Sequence, residues 1–460
     1  MEEKMTLAEQ ISAMIADKKF KDLKGLLVGD INPVDIAEAF EDLNEKELII
    51  AFRMLSKETA AIVFVEIPAD LQELIITSIN DRELKEMLDE LYVDDAVDII
   101  EEMPANVVAR ILKTADPDTR RTINEILLYP EDSAGSIMTP EYVALKKTMT
   151  VIDAFEHIRK VGVDKETIYT CYVTENRHLI GVVSVKSMLL ASPQTQIEAL
   201  MHTNFISVMT TDDKEFVASQ IKKYGFMALP VVDKEQRLVG IVTIDDAMDV
   251  IEEEATEDME IMAAMSPSEK PYLKTSVFAT WKQRIPWLLL LMVSATFTGM
   301  IISSFEAQLA AFAALTAFIP MLMDTGGNSG SQASVTVIRA LALDEVEPKD
   351  VFRVIWKEIR VSALCGATLA VANFVKIMLV EMLLLKTLSF DAAGFKVAAV
   401  VCITLAITVV VAKLIGCTLP ILAKKLKLDP AVMASPFITT AVDAISLLVY
   451  FAVASTILGV

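Results

Sequence analysis

The chain contains few of the residues that build zinc sites and disulfides. Its 460 residues include only four cysteines and three histidines. They are Cys171, Cys365, Cys402, Cys417, His157, His178 and His202. Because no two cysteines form a C-x-x-C pair and no two histidines have the spacing of a zinc pair, we expect buried single thiols and no zinc site. The N-terminus, "MEEKMTLAEQISAMIADKKFKDL", is charged throughout and lacks an apolar core, so we expect no signal peptide.

Basic residues are scarce in the first 270 residues, which hold 27 Lys and Arg against 53 Asp and Glu, a net charge of −26. From Pro271 onward there are 15 basic and 11 acidic residues, a net of +4. An acidic half is therefore joined to a hydrophobic, slightly basic half. Nucleic acid is not expected as a partner, since its binding depends on neutralising phosphates. Cations or basic partners are favoured.

Residues 32–130 are predicted to form short helices that repeat about every two dozen residues. The repeats are "NPVDIAEAFEDLNEKELIIAFRML", "SKETAAIVFVEIPADLQELIITSI" and "NDRELKEMLDELYVDDAVDIIEEM". Each pairs two amphipathic runs with a polar break. Self-similarity at this period is typical of a small helical solenoid, and nothing in it indicates catalysis.

From Gly135 the pattern changes to short β runs mixed with helices, and it occurs twice. Gly181 in "HLIGVVSV" and Gly240 in "RLVGIVTI" hold the same position. The arrangement resembles a tandem pair of CBS modules, regulatory domains that commonly bind nucleotides or sense ions. In that family a Gly-x-x-Thr/Ser-x-x-Asp pattern often holds a ribose. The second repeat has it, as Gly240, Thr243 and Asp246, which leaves ATP open as a ligand. The first repeat has Ser187 where the aspartate would be, which argues against a nucleotide there.

An acidic run follows the second repeat. Residues 243–260, "TIDDAMDVIEEEATEDME", contain nine carboxylates and no Lys or Arg. On a helix, like charges four residues apart cost about 0.2–0.5 kcal/mol per pair. A bound divalent cation that prefers oxygen ligands, such as Mg²⁺ or Ca²⁺, would turn this repulsion into a net attraction. A solvated acidic linker is the alternative. "VDDAVD" (94, 95 and 98) offers carboxylates of the same kind, and neither stretch matches an EF-hand loop.

The second half has five hydrophobic stretches near the ~20 residues that a membrane-spanning helix needs. They are approximately 285–305, 307–323, 361–385, 397–423 and 431–460. Most of the basic residues between them lie in two connections: Arg339, Lys349, Arg353, Lys357 and Arg360, then Lys424, Lys425 and Lys427. The positive-inside rule therefore predicts cytoplasmic N-terminal domains and a C-terminus on the outside.

Two membrane stretches carry unexpected polar residues. Asp443 is predicted at mid-membrane, about 20 Å along a helix from Pro430. A carboxylate at that depth costs roughly 2.5–3.5 kcal/mol, so its default interpretation is functional, against a protonated or helix-bonded aspartate. In "PMLMDTGGNSGSQASVTVIRA", Asp324 and Asn328 accompany Gly326 and Gly327. The glycine pair is expected to break the helix beside a cavity, and close helix packing is the alternative.

Four stretches in order, "EDSAGSIMTPEYVAL", "VIEEEATEDME", "PMLMDTGGNSGSQASVTVIRAL" and "LDPAVMASPFITTAVD", resemble MgtE-type magnesium channels over nearly the whole chain. The resemblance implies a homodimer with its pore between two membrane domains and an acidic helix that plugs the pore when cytosolic Mg²⁺ is plentiful. It implies a pore set of Asp443, Ser435, Thr439 and Asp429, with Asp324, Gly326, Gly327 and Asn328 lining the pore. It implies a regulatory set of Asp94, Asp98, Asp213, Glu215, Asp246, Asp249, Glu254, Glu257 and Asp258. Gly225 departs from members with a carboxylate there, and Ser435 from members with asparagine.

The sequence thus predicts a multidomain membrane protein. An N-terminal α-helical superhelical domain (1–130) precedes an α/β tandem CBS pair (131–245), an acidic connecting plug helix (246–280) and an all-α transmembrane domain of five helices (281–460). The predicted function is inward, voltage-driven Mg²⁺ conduction across the plasma (inner) membrane, closed by cytosolic Mg²⁺. Two alternatives stay open: a cation-coupled Mg²⁺ exchanger, and a membrane-tethered Mg²⁺ sensor without transport. An enzyme is not expected, because the motifs contain no nucleophile–base set.

Overall fold

A computed structural model describes residues 5–268, 272–273, 275–343, 345–433 and 435–459, apart from the side chains of Asp164, Ala307, Gln308 and Ser435. These residues form two compact units that divide between Ile251 and Glu252. The predicted order of a helical N-terminal domain, a CBS pair and an all-α membrane domain is confirmed.

Ten short helices open the first unit. They are α1 (Leu7–Ala16), α2 (Phe20–Leu27), α3 (Pro33–Glu41), α4 (Glu45–Phe52), α5 (Lys57–Glu66), α6 (Ala69–Ser78), α7 (Asp81–Leu88), α8 (Val93–Glu102), α9 (Ala105–Thr114) and α10 (Pro117–Ile126). Polar N-caps start several of them, as where Asn44 accepts hydrogen bonds from the Lys46 and Glu47 amides. Their apolar faces share one core that includes Phe40, Phe64 and Ile75.

Two similar α/β modules complete the first unit. The first contains β1 (Ala144–Leu145), α11 (Val151–Val161), β2 (Thr170–Glu175), β3 (His178–Ser184), α12 (Val185–Leu190) and α13 (Ile197–Leu200). The second contains β4 (Val208–Met209), α14 (Lys214–Tyr224), β5 (Ala228–Val232), β6 (Leu238–Thr243) and the start of α15 (Ile244–Met262). In each sheet the first strand is parallel to the second, and the second is antiparallel to the third.

The repeated glycines have a packing role. A Cβ on Gly181 would lie 3.0 Å from Met201 Sδ, and one on Gly240 would lie 2.8 Å from Met138 Sδ. In both modules a methionine therefore crosses the third strand where only glycine leaves room.

The acidic connecting helix, α15, is shorter than the predicted 246–280. It ends at Met262, and the next helix begins at Val277. Glu269, Lys270, Pro271 and Lys274 of this connection lie outside the described residues.

The second unit continues with six helices. They are α16 (Val277–Ser304), α17 (Glu306–Ala311), α18 (Ile319–Ala342), α19 (Val351–Lys376), α20 (Ala392–Lys425) and α21 (Ser435–Leu458). A π-helix (Ile377–Leu384) extends α19. Within the described ranges, four helical segments are long and apolar enough to cross a membrane: Val277–Ser304, Pro348–Leu384, Ala392–Lys425 and Pro430–Leu458. With α18 they make the five long helices expected.

The expectation that the glycine pair breaks its helix is wrong. The α18 helix runs without interruption through Gly326 and Gly327, and Pro320 stands in its first turn, where proline is tolerated. The second long helix therefore covers 319–342 instead of 307–323. Residues 313–318 form a 3-10 turn before it.

Candidate metal centre

Three carboxylates meet in the first unit, from the helical domain and the first α/β module. One oxygen each from Asp94, Glu141 and Glu166 lies within 4.8 Å of the others. Asp94 is in the first turn of α8, Glu141 precedes β1, and Glu166 lies between α11 and β2. Among the described residues this is the set that has the geometry to hold a metal ion.

Backbone hydrogen bonds fix the three segments. Glu141 Oε2 accepts from the Val93 amide at the start of α8, at 3.4 Å. The Glu166 amide donates to the Glu141 carbonyl oxygen at 3.0 Å. Glu141 therefore connects α8 to the segment that carries Glu166.

Two of the three carboxylates bury an oxygen that has no hydrogen-bond partner in the described part of the chain. These are Asp94 Oδ1 and Glu166 Oε2, and Asp94 is only 6% exposed. Burying an anionic oxygen without a partner is strongly unfavourable, so such groups normally bind a proton or a cation.

Burial and mutual repulsion raise the pKa values of this cluster. Burial, followed by the charges of Asp246, Asp95, Glu166 and Glu141, raises the pKa of Asp94 well above its usual range. Burial first, and then neighbouring carboxylates, raises the pKa of Glu166 to about 8. The largest electrostatic effects on both residues come from other carboxylates.

Asp95 and Asp246 lie beside these three carboxylates, and their pKa values are also raised. Burial and the charge of Asp246 raise the pKa of Asp95 to about 7. Burial raises the pKa of Asp246 to about 6, against the opposing effect of a hydrogen bond from Thr243 Oγ1 to Asp246 Oδ2 at 2.5 Å. Five carboxylates thus act on one another in one region, and we name Asp94, Asp95, Glu141, Glu166 and Asp246 the acidic cluster.

The acidic cluster suits a hard divalent cation. Oxygen ligands on opposite sides of Mg²⁺ are about 4 Å apart, twice the metal–oxygen distance. A separation of up to 4.8 Å between the carboxylate oxygens is slightly too wide for direct bonding by all three. Because Mg²⁺ retains several waters in most sites, the residues present fit an ion held partly through water.

The structure brings only two of the predicted regulatory residues, Asp94 and Asp246, into this cluster. Asp98 is exposed on α8. Asp213 caps α14, where its Oδ1 accepts from the Glu215 and Phe216 amides, and Glu215 is exposed. Asp249, Glu254, Glu257 and Asp258 lie along α15, which confirms that the acidic run is helical.

Gly225 has a structural reason to lack a carboxylate. It ends α14 in the left-handed region, with φ of 65°. A side chain at this position would be strained, so the departure noted in the sequence follows from the helix terminus.

Sequence reasoning missed Glu141 and Glu166. Glu141 belongs to the "TPEYVAL" stretch, and that motif was the only signal available for it. Glu166 is an isolated acid in a connection between a helix and a strand, and no periodicity marks it. Only the tertiary fold brings the two residues to Asp94.

Two residues of the nucleotide pattern in the second module are hydrogen-bonded to each other. Thr243 is buried at the end of β6 and donates to Asp246, whose charge acts on Asp94 and Asp95. In the first module the Ser187 hydroxyl donates to the Ser184 carbonyl oxygen at 2.8 Å.

In the second unit, the glycines of α18 bring three helices together. A Cβ on Gly326 would lie 2.7 Å from Thr408 Cγ2 of α20 and 3.1 Å from Val442 Cγ1 of α21. One on Gly327 would lie 2.8 Å from Thr439 Cγ2. Glycine is therefore required at both positions by the close approach of α20 and α21, as the packing alternative expected.

We call the close contact of α18 with α20 and α21 the glycine seam. Asp443 lies on α21 beside it. Its Oδ1 is buried without a hydrogen-bond partner among the described residues, and Asp324 of α18 acts on it electrostatically. On α18 itself, Asp324, Asn328 and Gln332 are exposed at four-residue spacing and form a polar stripe. The second unit thus holds a half-buried carboxylate near an exposed polar stripe.

The other predicted pore residues have defined local positions. Asp429 Oδ1 accepts from the Ala431 amide at 2.7 Å before α21, and Asp429 is exposed. Thr439 packs on Gly327. Ser435 begins α21, and its side chain lies outside the described residues.

Family comparisons agree with this architecture. Residues 319–453 match the family described as a divalent cation transporter, MgtE. Residues 31–132 match the MgtE intracellular N domain, and residues 134–193 and 197–253 match CBS domains. The class of protein is therefore a multi-pass membrane transporter of divalent cations with soluble N-terminal domains.

Two curated relatives extend over the chain. The magnesium transporter MgtE of Thermus thermophilus is 35% identical over 463 residues, covering 100% of this chain and 99% of the relative. That of Bacillus subtilis is 31% identical, covering 97% and 96%. The chain belongs to the MgtE family of magnesium transporters, and it is not an enzyme.

Solved structures match the soluble part. The cytosolic domain of the Mg²⁺ channel MgtE in complex with ATP is 34% identical and covers 53% of this chain and 100% of that chain, with a TM-score of 0.51. The soluble part of a magnesium transporter is 29% identical and covers 54% of this chain and 98% of that chain, with a TM-score of 0.51.

Proposed function

We propose that this transporter is a Mg²⁺-selective channel that admits Mg²⁺ down the membrane potential and closes when cytosolic Mg²⁺ binds the acidic cluster. The observation that carries the regulation is the acidic cluster itself, in which Asp94 and Glu166 bury oxygens that have no hydrogen-bond partner among the described residues, and in which the largest electrostatic effects on both come from other carboxylates. A cation supplies the missing charge.

The pore is formed by a homodimer in this proposal. Asp324, Asn328 and Gln332 are exposed along α18. Polar and ionisable side chains at membrane depth avoid lipid and face protein or water. A second copy of the chain, facing the first across a water-filled path, satisfies this requirement. Asp443 of each copy then meets hydrated Mg²⁺, with Thr439 and the Ser435 carbonyl nearby and Asp429 at the cytoplasmic mouth.

Selectivity and driving force follow from charge. Mg²⁺ gives up its waters reluctantly, so a pair of carboxylates grips it through the hydration shell. At 100 mV, inside negative, a divalent ion gains about 4.6 kcal/mol on entry, which makes coupled fuel unnecessary.

Closure follows from neutralisation. At low cytosolic Mg²⁺ the acidic cluster repels α8 from the α/β modules. Bound Mg²⁺ reverses the repulsion, and with the carboxylates of α15 it favours a closed arrangement in which the connecting helix plugs the pore. The energy for gating is the difference in Mg²⁺ affinity between the two arrangements. ATP at Thr243 is a second candidate regulator, favoured by the complex of the related cytosolic domain with ATP.

The membrane orientation has cytoplasmic N-terminal domains and an outside C-terminus. The start of α19 carries Arg353 and the end of α20 carries Lys424 and Lys425, among other basic residues nearby, and the positive-inside rule supports this assignment.

Mg²⁺ flux into proteoliposomes that contain the full chain tests the proposal. A potassium diffusion potential should drive Mg²⁺ entry, and imposed pH or Na⁺ gradients should not change it. Flux that requires either gradient would show the cation-coupled exchanger instead. Absence of flux from folded protein would point to a sensor without transport.

A further inference from the structure

A cavity of about 390 Å³ lies in the second unit, where the connecting helix leads into the first spanning helix. Thr256 and Glu260 of α15, Ser266 and Ser268 of the following turn, and Thr280 and Arg284 of α16 line it. The Ser266 amide donates to the Gln283 carbonyl oxygen at 3.2 Å, so the turn is attached to α16. None of the regulatory or pore residues discussed above lines this cavity.

The cavity presents donors without partners. Within the described residues, neither the Arg284 guanidinium nor the Ser266 and Ser268 hydroxyls have a hydrogen-bond or ion-pair partner. The acidic residue in the lining, Glu260, accepts a hydrogen bond at Oε2 from the Ser268 amide at 2.7 Å. An arginine with adjacent hydroxyls is a typical receptor for a phosphate group.

We expect Arg284 to lie at the depth of the lipid headgroups. It is the last charged residue before 285–305, which contain no charge, and residues 275–305 contain no Asp or Glu. Tyr272, whose surface is 76% exposed, lines the cavity, and the neighbouring residues Leu273, Phe278 and Trp281 are also exposed, by 94%, 76% and 52%. Tyrosine and tryptophan concentrate where membrane and water meet.

We propose that this cavity binds the phosphate group of an anionic phospholipid, with Arg284 as the charged contact and the exposed aromatic side chains against its acyl chains. The positive charge of α16 favours this occupant, and so does its place at the start of an uncharged span. Because α15 and α16 both line the cavity, the bound lipid ties the connecting helix to the membrane. This inference is independent of whether the protein conducts Mg²⁺ as proposed.

Competition between lipids in nanodiscs tests the proposal with the full chain. Brominated phosphatidylglycerol in phosphatidylcholine should quench tryptophan fluorescence more than brominated phosphatidylcholine does at the same fraction, because Trp281 and Trp287 lie on α16. Arg284→Gln should lower this preference by more than about fivefold, because fivefold is the effect of one basic residue that is only near an anionic surface. Arg284→Lys should retain part of it.

Lys282→Gln is the matched control, since it removes the same charge from the same helix and Lys282 is outside the cavity lining. Equal losses in Arg284→Gln and Lys282→Gln would show diffuse attraction and overturn the site. So would a wild-type protein without preference for phosphatidylglycerol, a measurement that requires no variant. If inorganic phosphate in the buffer abolished the preference, the cavity would be a soluble-anion site and the lipid assignment would be wrong.

Discussion

The two units of the chain arrange their buried carboxylates in different ways. In the soluble unit, Asp94, Glu141 and Glu166 converge from three segments of one chain, and the site is complete within it. In the membrane unit, Asp443 is one carboxylate beside a seam of small residues, and the polar stripe of α18 faces outward. The comparison teaches that the proposed sensor lies inside a single chain, whereas the proposed ion path requires a second copy.

The largest expected effect is a loss of Mg²⁺ flux caused by a substitution in the membrane unit. Asp443→Asn keeps the size of the side chain and removes the charge that meets the ion, so voltage-driven Mg²⁺ flux should fall by more than about tenfold, as expected for a loss above 1.4 kcal/mol. Proteoliposome flux measures it. Glu306→Gln, which removes a carboxylate at the first residue of α17, should leave flux unchanged. Full flux in Asp443→Asn would remove this residue from the ion path.

A substitution in the glycine seam tests how closely α18 and α20 pack in the membrane unit. A Cβ on Gly416 would clash with the Gly330 carbonyl oxygen, so Gly416→Ala should destabilise the fold by about 1–3 kcal/mol through overpacking. The thermal unfolding midpoint in detergent reports it. Gly299→Ala is the control, since a Cβ there meets nothing within 4 Å. Equal midpoints for the two variants would contradict the close approach of α18 and α20.

Mg²⁺ binding tests the soluble side. At ten times its dissociation constant, Mg²⁺ should slow amide hydrogen exchange in α8 and around Glu166 about tenfold, because it binds only the closed arrangement. Asp94→Asn combined with Glu166→Gln should abolish this response. Glu102→Gln, an exposed acid at the other end of α8, should retain it. An unchanged response in the double variant would show that Mg²⁺ acts elsewhere.

Protons should substitute for Mg²⁺ with a smaller effect. Folded pKa values of about 8 for Glu166, about 7 for Asp95 and about 6 for Asp246 exceed the roughly 4 of free carboxylates. The closed arrangement therefore holds more protons than the open one, and its stability falls as pH rises from about 4 to about 8.

Without Mg²⁺, exchange in α8 should slow several-fold, after correction for intrinsic rates, when pH is lowered from 8 to 6. With saturating Mg²⁺ the same change should have little effect, because metal binding displaces those protons. A pH response that Mg²⁺ does not reduce would separate the titrating groups from the metal site.

The sequence predicted what depends on local pattern and on family motif. Charge distribution separated the two halves, and the β–glycine repeat indicated the α/β pair. The isolated acid in an apolar run predicts a functional role for Asp443, and that role stays a prediction. Glu166 was missed because its role depends on a tertiary contact with Asp94. The glycine pair in α18 was misread because glycine disfavours a helix in isolation, while close packing by Thr408 and Val442 maintains it here.

The dependence of flux on cytoplasmic Mg²⁺ tests most directly the claim that two separate acid sites divide sensing and conduction. The wild-type channel should be inhibited as Mg²⁺ rises on that face. In Asp94→Asn/Glu166→Gln the inhibition should shift to higher Mg²⁺ while the maximal flux stays the same. Identical inhibition curves for the two proteins would contradict the account.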